Sequence, residues 1–226
     1  MYEEVHDREV GIVRNRFDDQ LHQLNDELIE MGELVIKAIE NAVTAFMKND
    51  RDIAKNAEAL EEQIDQKERD IESLCLKLLL QQQPVASDLR LISSALKMIT
   101  DLERIGDQAE DISNLVLLMS GKPHIKEPED IDKMAKATVK MVKESTEAFV
   151  KRDVDLALEV CDHDARVNEL FYIVKNDLIE IIHKSPENGE QAIELLMVAK
   201  YFERIGDHAV NVAEWVIFSI TGKKKE

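Results

Sequence analysis

The chain repeats itself, and this repeat constrains the fold more than any other feature of the sequence. The octapeptide Leu102–Ala109 (LERIGDQA) returns 100 residues later as Phe202–Ala209 (FERIGDHA). Earlier in the chain, Phe46–Asp50 (FMKND) matches Phe149–Asp153 (FVKRD) at an offset of 103 residues. Since the offset falls from 103 to 100, the second copy has three fewer residues between these two motifs. Self-similarity of this kind indicates two copies of one structural unit.

Few residues of the chain favour turns, which indicates an all-α fold. Glycine and proline together account for 11 of 226 residues, too few for the many tight turns of a sandwich, a barrel or a doubly wound sheet. Aromatic residues make up only 4% of the chain, so Leu, Ile, Val, Ala and Met must fill the core. Proline inside a helix costs about 3 kcal/mol, and helices should therefore end near the prolines. These are Pro84, Pro123, Pro128 and Pro186.

Two polar interruptions of the apolar pattern supply the remaining helix ends. In FMKND and FVKRD the apolar stripe stops, and Asp50 and Asp153 stand where an N-cap would begin the next helix. The sequence therefore predicts two tandem, pseudo-symmetric, antiparallel three-helix bundles, at residues 1–122 and 128–226, joined by a linker at 121–128. The six predicted helices span residues 3–48, 51–83, 86–119, 129–151, 154–184 and 188–220.

The net charge and the cysteine pattern indicate which binding partners and which cellular compartment to expect. With 47 acidic and 29 basic residues, the net charge is −18. This charge repels phosphate backbones, so direct nucleic-acid binding is not expected. Cys75 and Cys161 lie in helical segments without a CxxC motif, as is typical of thiols in a reducing compartment. The polar N-terminal segment is unlike a signal peptide, and no apolar run approaches the ~20 residues of a membrane span, so we expect a cytoplasmic protein.

The third predicted helix of each half carries a row of acidic side chains. Glu103, Asp107 and Asp111 are spaced four residues apart. A helix turns by about 400° over four residues, so the three form a nearly straight row. The equivalent row of the second half is Glu203, Asp207 and Asn211. Like charges at this spacing lower helix stability, and a bound cation would offset the repulsion, so we interpret both rows as candidate metal ligands.

A second acidic row lies on the preceding helix of each half. Its members are Glu61, Glu62 and Asp65 in the first half, and Asp164, Asn168 and Glu169 in the second. Asp65 lies 19 residues before the turn at Pro84 and Glu103 lies 19 residues after it, so antiparallel pairing should bring the two rows to the same height. Oxygen ligands suit hard ions such as Mg, Ca, Mn or Fe better than structural zinc, which prefers Cys and His.

Two plainer interpretations of these rows stay open. Acidic residues four apart on a helix usually form a solvated face. Arg104 and Arg204, which follow the glutamates by one residue, could instead pair with acids of a neighbouring helix. Gly106 and Gly206 lie in the middle of the same predicted helices, where glycine costs about 1 kcal/mol relative to alanine. Their presence there indicates the close approach of another backbone. Repetition of the rows in both halves supports the cation site.

These motifs resemble those of the PhoU family of phosphate-transport accessory proteins. ERIGD occurs in the last helix of each half, DLR occurs at Asp88–Arg90, and the resemblance covers nearly the whole chain. It implies two pseudo-symmetric three-helix bundles, commonly a homodimer, with metal ions or multinuclear iron clusters at the carboxylates. The metal implied is a divalent or ferric ion (Fe, Mg, Mn, Ca or Zn), with its identity left open.

The family's metal motif, Glu or Asp-x-x-x-Asp, carries over to this sequence once per half. The matching residues are Glu103 and Asp107 in the first half, and Glu203 and Asp207 in the second. On the partner helices, Asp65 matches the usual acidic position, whereas Asn168 departs from it. Because Asn168 offers one neutral oxygen, the second site is expected to be weaker unless Glu169 or Asp164 compensates.

The same resemblance implies a non-enzymatic regulator. Such a protein would repress phosphate-starvation signalling and restrain phosphate uptake. The partners implied are the ATPase of the phosphate ABC transporter and the phosphate-sensing histidine kinase. Composition and residue spacing by themselves point to neither partner.

Two other classes of protein compete with this interpretation. A di-iron carboxylate oxidase needs Glu-x-x-His on two helices, and Glu3-x-x-His6 and Glu180-x-x-His183 have that spacing. Both pairs lie near helix ends and at non-equivalent positions of the repeat, which argues against this class. A purely structural helical adaptor without metal also fits the composition, although the proline breaks argue against a continuous coiled coil.

Overall fold

Helices make up almost all of the structure. The computed structural model describes residues 2–81, 85–119 and 123–223, with side chains described for 17, 19–80, 85–119 and 123–223. Within these ranges there are six long helices, one short helix, one 3-10 turn and no strand, so the predicted all-α fold is confirmed. In chain order the helices are α1 (Tyr2–Lys48), α2 (Arg51–Ala54), α3 (Ala57–Gln81), α4 (Ala86–Met119), α5 (Glu129–Lys151), α6 (Val154–Lys184) and α7 (Gly189–Thr221).

The two junctions after the first helix of each half are alike. Asn49 and Arg152 adopt left-handed backbone conformations, with φ of 49° and 53°. The next residue then caps the following helix. Asp50 accepts hydrogen bonds from the backbone N–H groups of residues 52 and 53, and Asp153 accepts one from the N–H of residue 156. Both predicted N-caps are therefore confirmed.

One predicted helix, 51–83, is interrupted near its start. The N–H of Asn56 donates to the Ile53 carbonyl over 3.1 Å, which is the tighter spacing of a 3-10 turn. The Asn41 side chain on α1 also donates to the Ile53 carbonyl, over 3.1 Å. In an unbroken helix that carbonyl would accept from residue 57, so the helix begins again there as α3. Pro84, at the predicted end, lies outside the described residues.

The segment between the two halves is held by α7 and α1. The buried Gln191 side chain accepts from the Ile125 N–H over 2.6 Å and donates to the Pro123 carbonyl over 3.1 Å. The His124 ring lies 5.0 Å from the Phe46 ring, and its Nε2 is 3.1 Å from the Phe46 carbonyl oxygen. Residues 121 and 122 of the predicted linker lie outside the described ranges, and the division at 1–122 and 128–226 stays a prediction.

The core runs through both halves without a break. It is built mainly of aliphatic side chains, with Phe46 and Phe202 among the largest that are fully buried. The most extensive helix contact joins α4 to α7, and each of these also packs against the two other long helices of its own half. This arrangement places the outer faces of the α3–α4 and α6–α7 pairs, which carry the acidic rows, at the surface of the molecule.

Candidate metal centre

Helices α3 and α4 bring three carboxylates of the first half together. Asp65 and Glu68 lie on α3 and Glu103 lies on α4, and one oxygen from each is within 4.8 Å of the others. All three side chains are half-buried. The meeting of Asp65 and Glu103 at one height, predicted from their equal distances to the turn, is therefore confirmed.

Glu68 belongs to this group, although the sequence prediction did not include it. It follows Asp65 by three residues, and residues three apart lie on the same face of a helix. Its Oε1 lies 3.4 Å from the Thr100 hydroxyl of α4, which places it at the α3–α4 contact. The i, i+3 spacing was the available signal. A row defined by four-residue spacing does not include it.

Burial and neighbouring negative charges raise the pKa values of Glu61 and Glu103. Burial, followed by the charges of Asp65, Glu110 and Asp107, raises the pKa of Glu61 to about 7. A hydrogen bond between the Glu61 and Asp65 side chains acts in the same direction. Burial and the neighbouring Asp107 raise the pKa of Glu103 to about 6. Glu61 and Glu103 therefore hold protons more tightly than isolated carboxylates do, as expected of partly buried acids with like-charged neighbours.

Two arginines neutralise part of this charge. Arg104 Nη1 lies 2.9 Å from Asp107 Oδ2 and its Nε lies 3.4 Å from Glu103 Oε2, while Arg69 Nη1 lies 3.2 Å from Asp65 Oδ2. The ion-pair alternative is thus partly realised, but within α4 and within α3, whereas the sequence suggested a neighbouring helix. Both arginine side chains are more than half exposed, and each of these contacts engages one oxygen of its carboxylate.

The donor set suits a hard cation. The converging ligands are carboxylate oxygens from two helices, with no thiol or imidazole among Asp65, Glu68 and Glu103. Carboxylates favour Mg, Ca, Mn or Fe over structural zinc. Burial and, after it, like-charge repulsion raise the pKa of Glu61 and Glu103. A divalent ion here would neutralise that repulsion, and the residues of the first half therefore fit such an ion.

The second-half residues are arranged differently. Asn168 donates to Asp164 Oδ2 over 2.7 Å, which uses the amide that stands where the first half has Asp65. Burial raises the pKa of Asp164, with Glu203 contributing in the same direction and the Asn168 bond opposing it. Glu203 forms an ion pair with Lys200 on the same helix. Glu169, suggested as a compensating ligand, is exposed and forms an ion pair with Arg166.

Asp111 and Asn211, the last members of the two rows, lie at the α4–α7 contact. Burial, followed by the charge of Asp107, raises the pKa of Asp111, and the hydrogen bond from the Tyr201 hydroxyl on α7 acts in the opposite direction. Asn211 on α7 donates to Asp101 Oδ1 on α4 over 2.9 Å. These contacts are equivalent under the 100-residue repeat, because position 101 corresponds to 201 and position 111 to 211. Both side chains therefore bind the facing helix of the other half.

Each mid-helix glycine lies against side chains of the neighbouring helix of its own half. At Gly106 the neighbouring group is the side chain of Ile64 on α3, and at Gly206 it is Val167 and Asp164 on α6. The neighbouring atoms belong to side chains, so the prediction that another backbone approaches these glycines is wrong, and of the two contacts the one at Gly106 is the tighter. Ile64 and Val167 are equivalent at the 103-residue offset, so the two halves share one packing register.

Among the described side chains, the cluster of Asp65, Glu68 and Glu103 includes no histidine. Glu180 near the end of α6 forms an ion pair with Lys184, four residues away. His208 Nδ1 lies 2.9 Å from Asp101 Oδ1, so His208 contacts α4 at the junction of the halves. The side chains of Glu3 and His6 are not among those that the structure describes.

The described elements and the cluster of Asp65, Glu68 and Glu103 make this an all-helical protein with a candidate carboxylate site between two helices. The PhoU domain model matches residues 28–116 and 131–216, one match in each half. The chain belongs to the PhoU family. The assignment of individual carboxylates as metal ligands stays a prediction.

Relatives and solved structures agree with this family. A "Phosphate-specific transport system accessory protein PhoU homolog" of Clostridium acetobutylicum is 36% identical over 94% of this chain and 98% of its own length. A homolog with the same description from Pseudomonas aeruginosa is 33% identical over 93% of this chain and 87% of its own.

Among solved structures, PhoU from Pseudomonas aeruginosa superposes with a TM-score of 0.89 at 33% identity, covering 92% of this chain and all of that one. The phosphate transport system regulatory protein PhoU from Streptococcus pneumoniae gives a TM-score of 0.87 at 25% identity, over 93% of this chain and 99% of its own. Among the described helices, none has the length and apolar character needed to cross a bilayer.

Proposed function

We propose that this chain is a non-enzymatic accessory regulator of phosphate uptake whose surface is set by a metal ion bound between α3 and α4. The observation that carries the regulatory role is its 36% identity, over almost the full length of both chains, to a relative described as an accessory protein of the phosphate-specific transport system. The proposal extends to repression of phosphate-starvation signalling, through contacts with the ATPase of the phosphate ABC transporter and with the phosphate-sensing histidine kinase. A cytoplasmic homodimer is the form proposed to make these contacts.

The metal part of the proposal is supported by the converging oxygens of Asp65, Glu68 and Glu103. Glu61 and Asp107 lie beside them and complete the acidic surface. When bound, a hard cation supplies positive charge that draws the α3 and α4 carboxylates together. The protein residues would then present one fixed arrangement of acidic side chains, in place of several that repel one another. A partner that reads this surface would bind the metal-loaded form more tightly.

A genetic experiment tests the regulatory role. In a bacterial strain deleted for its own phoU-type regulator, a phosphate-starvation reporter should be expressed even in phosphate-rich medium. The wild-type chain, expressed from a plasmid, should lower reporter expression, and the purified chain should retain the transporter ATPase in a pull-down. A chain that folds but leaves the reporter unchanged and does not retain the ATPase would contradict the proposed function.

Metal analysis tests the site independently of regulation. Glu103→Gln combined with Asp107→Asn should abolish Mn²⁺ uptake by chelator-treated protein, because it removes two adjacent charges from the α4 row. The matched control is Glu169→Gln combined with Glu180→Gln, which removes the same charge from exposed ion pairs on α6. Equal Mn²⁺ content in wild type and the α4 variant would show that the cluster is not the metal site.

A further inference from the structure

Two of the positions at which the second-half site differs from the first face each other across the helix pair. The repeat aligns α3 with α6 at an offset of 103 residues and α4 with α7 at an offset of 100. The packing of Gly106 on Ile64 and of Gly206 on Val167 shows the same alignment in three dimensions. Under this alignment Glu68 corresponds to Phe171, so the second half replaces a ligand of the first-half cluster with a phenyl ring that supplies no oxygen.

A lysine occupies the other position. Thr100, whose hydroxyl lies 3.4 Å from Glu68 Oε1, corresponds to Lys200. Lys200 forms an ion pair with Glu203, and its Nζ lies 5.4 Å from the centroid of the Phe171 ring. An ammonium group within about 6 Å of an aromatic ring face is attracted by the ring quadrupole. The two replacements therefore act together, because the Phe171 ring stabilises the Lys200 ammonium group beside Glu203.

From this geometry we infer that Lys200 is a tethered cation that takes the place of a metal ion in the second half, so that the chain binds metal in the first half alone. This inference rests on the proposed metal site and assigns it to one repeat. The second half retains the acids Asp164, Glu203 and Asp207, and Lys200 compensates one of their charges. The Asn168 amide, which donates to Asp164, offers a further partial positive charge where the first half has a carboxylate.

The second-half residues do not fit a metal ion as the first-half residues do. A divalent ion among Asp164, Glu203 and Asp207 would lie beside the Lys200 ammonium and would be repelled by it. Only three acids remain to hold the ion, against five in the equivalent first-half positions, which are Glu61, Asp65, Glu68, Glu103 and Asp107. Coulomb repulsion between close like charges and the loss of ligands act in the same direction.

Titration of chelator-treated protein with Mn²⁺ tests the inference. Wild-type uptake should fall to baseline in Glu103→Gln/Asp107→Asn and should be unchanged in Glu203→Gln/Asp207→Asn. Combining Lys200→Thr, Phe171→Glu and Asn168→Asp should give the second half the first-half donor set and double the Mn²⁺ bound per chain. The control is Lys175→Thr, which removes a lysine placed over a different ring, that of Tyr172 on α6, and should leave uptake at the wild-type level.

A stability measurement keeps the inference testable if the wild-type protein takes up no Mn²⁺. Lys200→Thr should lower the melting temperature of metal-free protein, because it leaves the second-half acids without their cation. Glu203→Gln should lower the melting temperature of the wild type but raise that of Lys200→Thr. This reversal of sign distinguishes a countercharge from a lysine that only packs.

Three results would overturn the inference. The first is Mn²⁺ uptake that survives in the first-half variant or is lowered in the second-half variant. The second is an unchanged stoichiometry in the converted chain that folds with a wild-type helical spectrum. The third is a melting temperature of Lys200→Thr that responds to Glu203→Gln as the wild type does. An absence of Mn²⁺ binding in the wild type, with the sign reversal present, would instead contradict the proposed metal function and leave Lys200 as the countercharge.

Discussion

Replacing Gly106 with alanine should destabilise the protein, whereas the same change at Gly206 should not. A Cβ at Gly106 would lie 2.9 Å from Ile64 Cδ1 and 3.3 Å from Ile64 Cγ2. Contacts this short require the Ile64 side chain to move, and Ile64 is only 1% exposed, so it has little space to move into. A Cβ at Gly206 would meet Asp164 Oδ1 at 3.4 Å and Val167 Cγ1 at 3.6 Å, which is ordinary van der Waals contact.

Two opposing effects set the size of each change. Alanine is better than glycine inside a helix by about 1 kcal/mol, and this gain applies at both positions. Overpacking a buried site costs about 1–3 kcal/mol, and this cost applies at Gly106. The expected results are a loss of about 1 kcal/mol for Gly106→Ala and a gain of up to about 1 kcal/mol for Gly206→Ala. In a chain of this length, about 1 kcal/mol shifts the melting temperature by roughly 2–4 °C.

Thermal and urea unfolding, followed by far-ultraviolet circular dichroism, measure both effects. Ile64→Val provides the rescue, because it removes Cδ1 and gives the first half the residue type found at Val167. Alone it should cost about 0.5–1.5 kcal/mol, but combined with Gly106→Ala the total should be smaller than the sum. If Gly106→Ala stabilises the protein as much as Gly206→Ala does, the close contact with Ile64 is not the reason for the glycine.

Three further outcomes follow from the described side chains. Glu61→Gln should raise the stability of metal-free protein at pH 8 by several tenths of a kcal/mol. Because the pKa of Glu61 is raised to about 7, its favourable contribution is complete below pH 4.5 and is lost as pH rises through 7, so unfolding curves from pH 5 to 8 should depend less on pH in the variant. Burial raises the pKa of the Cys75 thiol to about 12, so at pH 8 iodoacetamide should label Cys75 no faster than global unfolding exposes it; rapid labelling under native conditions would contradict this. Asp153→Ala should cost about 0.5–2 kcal/mol in urea unfolding, because the N-cap bond to the N–H of residue 156 is lost, whereas Asp153→Asn should retain most of the stability.

The repeat allowed much of the fold to be predicted. It fixed which residues are equivalent, and the prolines and polar interruptions placed the helix ends close to those observed. The break between α2 and α3 escaped prediction, because it depends on the Asn41 amide reaching the Ile53 carbonyl from another helix. A hydrogen bond between residues 12 positions apart on different helices cannot be predicted from the local sequence pattern.

The candidate site could be predicted only in part, for a geometrical reason. Four residues turn a helix by about 400°, so a row at i, i+4, i+8 advances about 40° at each step. By Asp111 the row has turned about 80° from Glu103, which brings Asp111 to the α4–α7 contact and Tyr201. Glu68 was not predicted, because it follows Asp65 by three residues and the predicted rows were defined by a four-residue spacing. The proposed role of Lys200 as a countercharge can be inferred only when the two halves are compared position by position.

The reciprocal contacts of Asp111 with Tyr201 and of Asp101 with Asn211 have the pattern of an isologous interface, in which each surface binds a copy of itself. Between separate subunits, every substitution at such an interface appears twice and association depends on protein concentration. Within one polypeptide, the same surfaces meet at any dilution, and each substitution appears once. A covalently joined pair can therefore change one side while the other keeps its original chemistry.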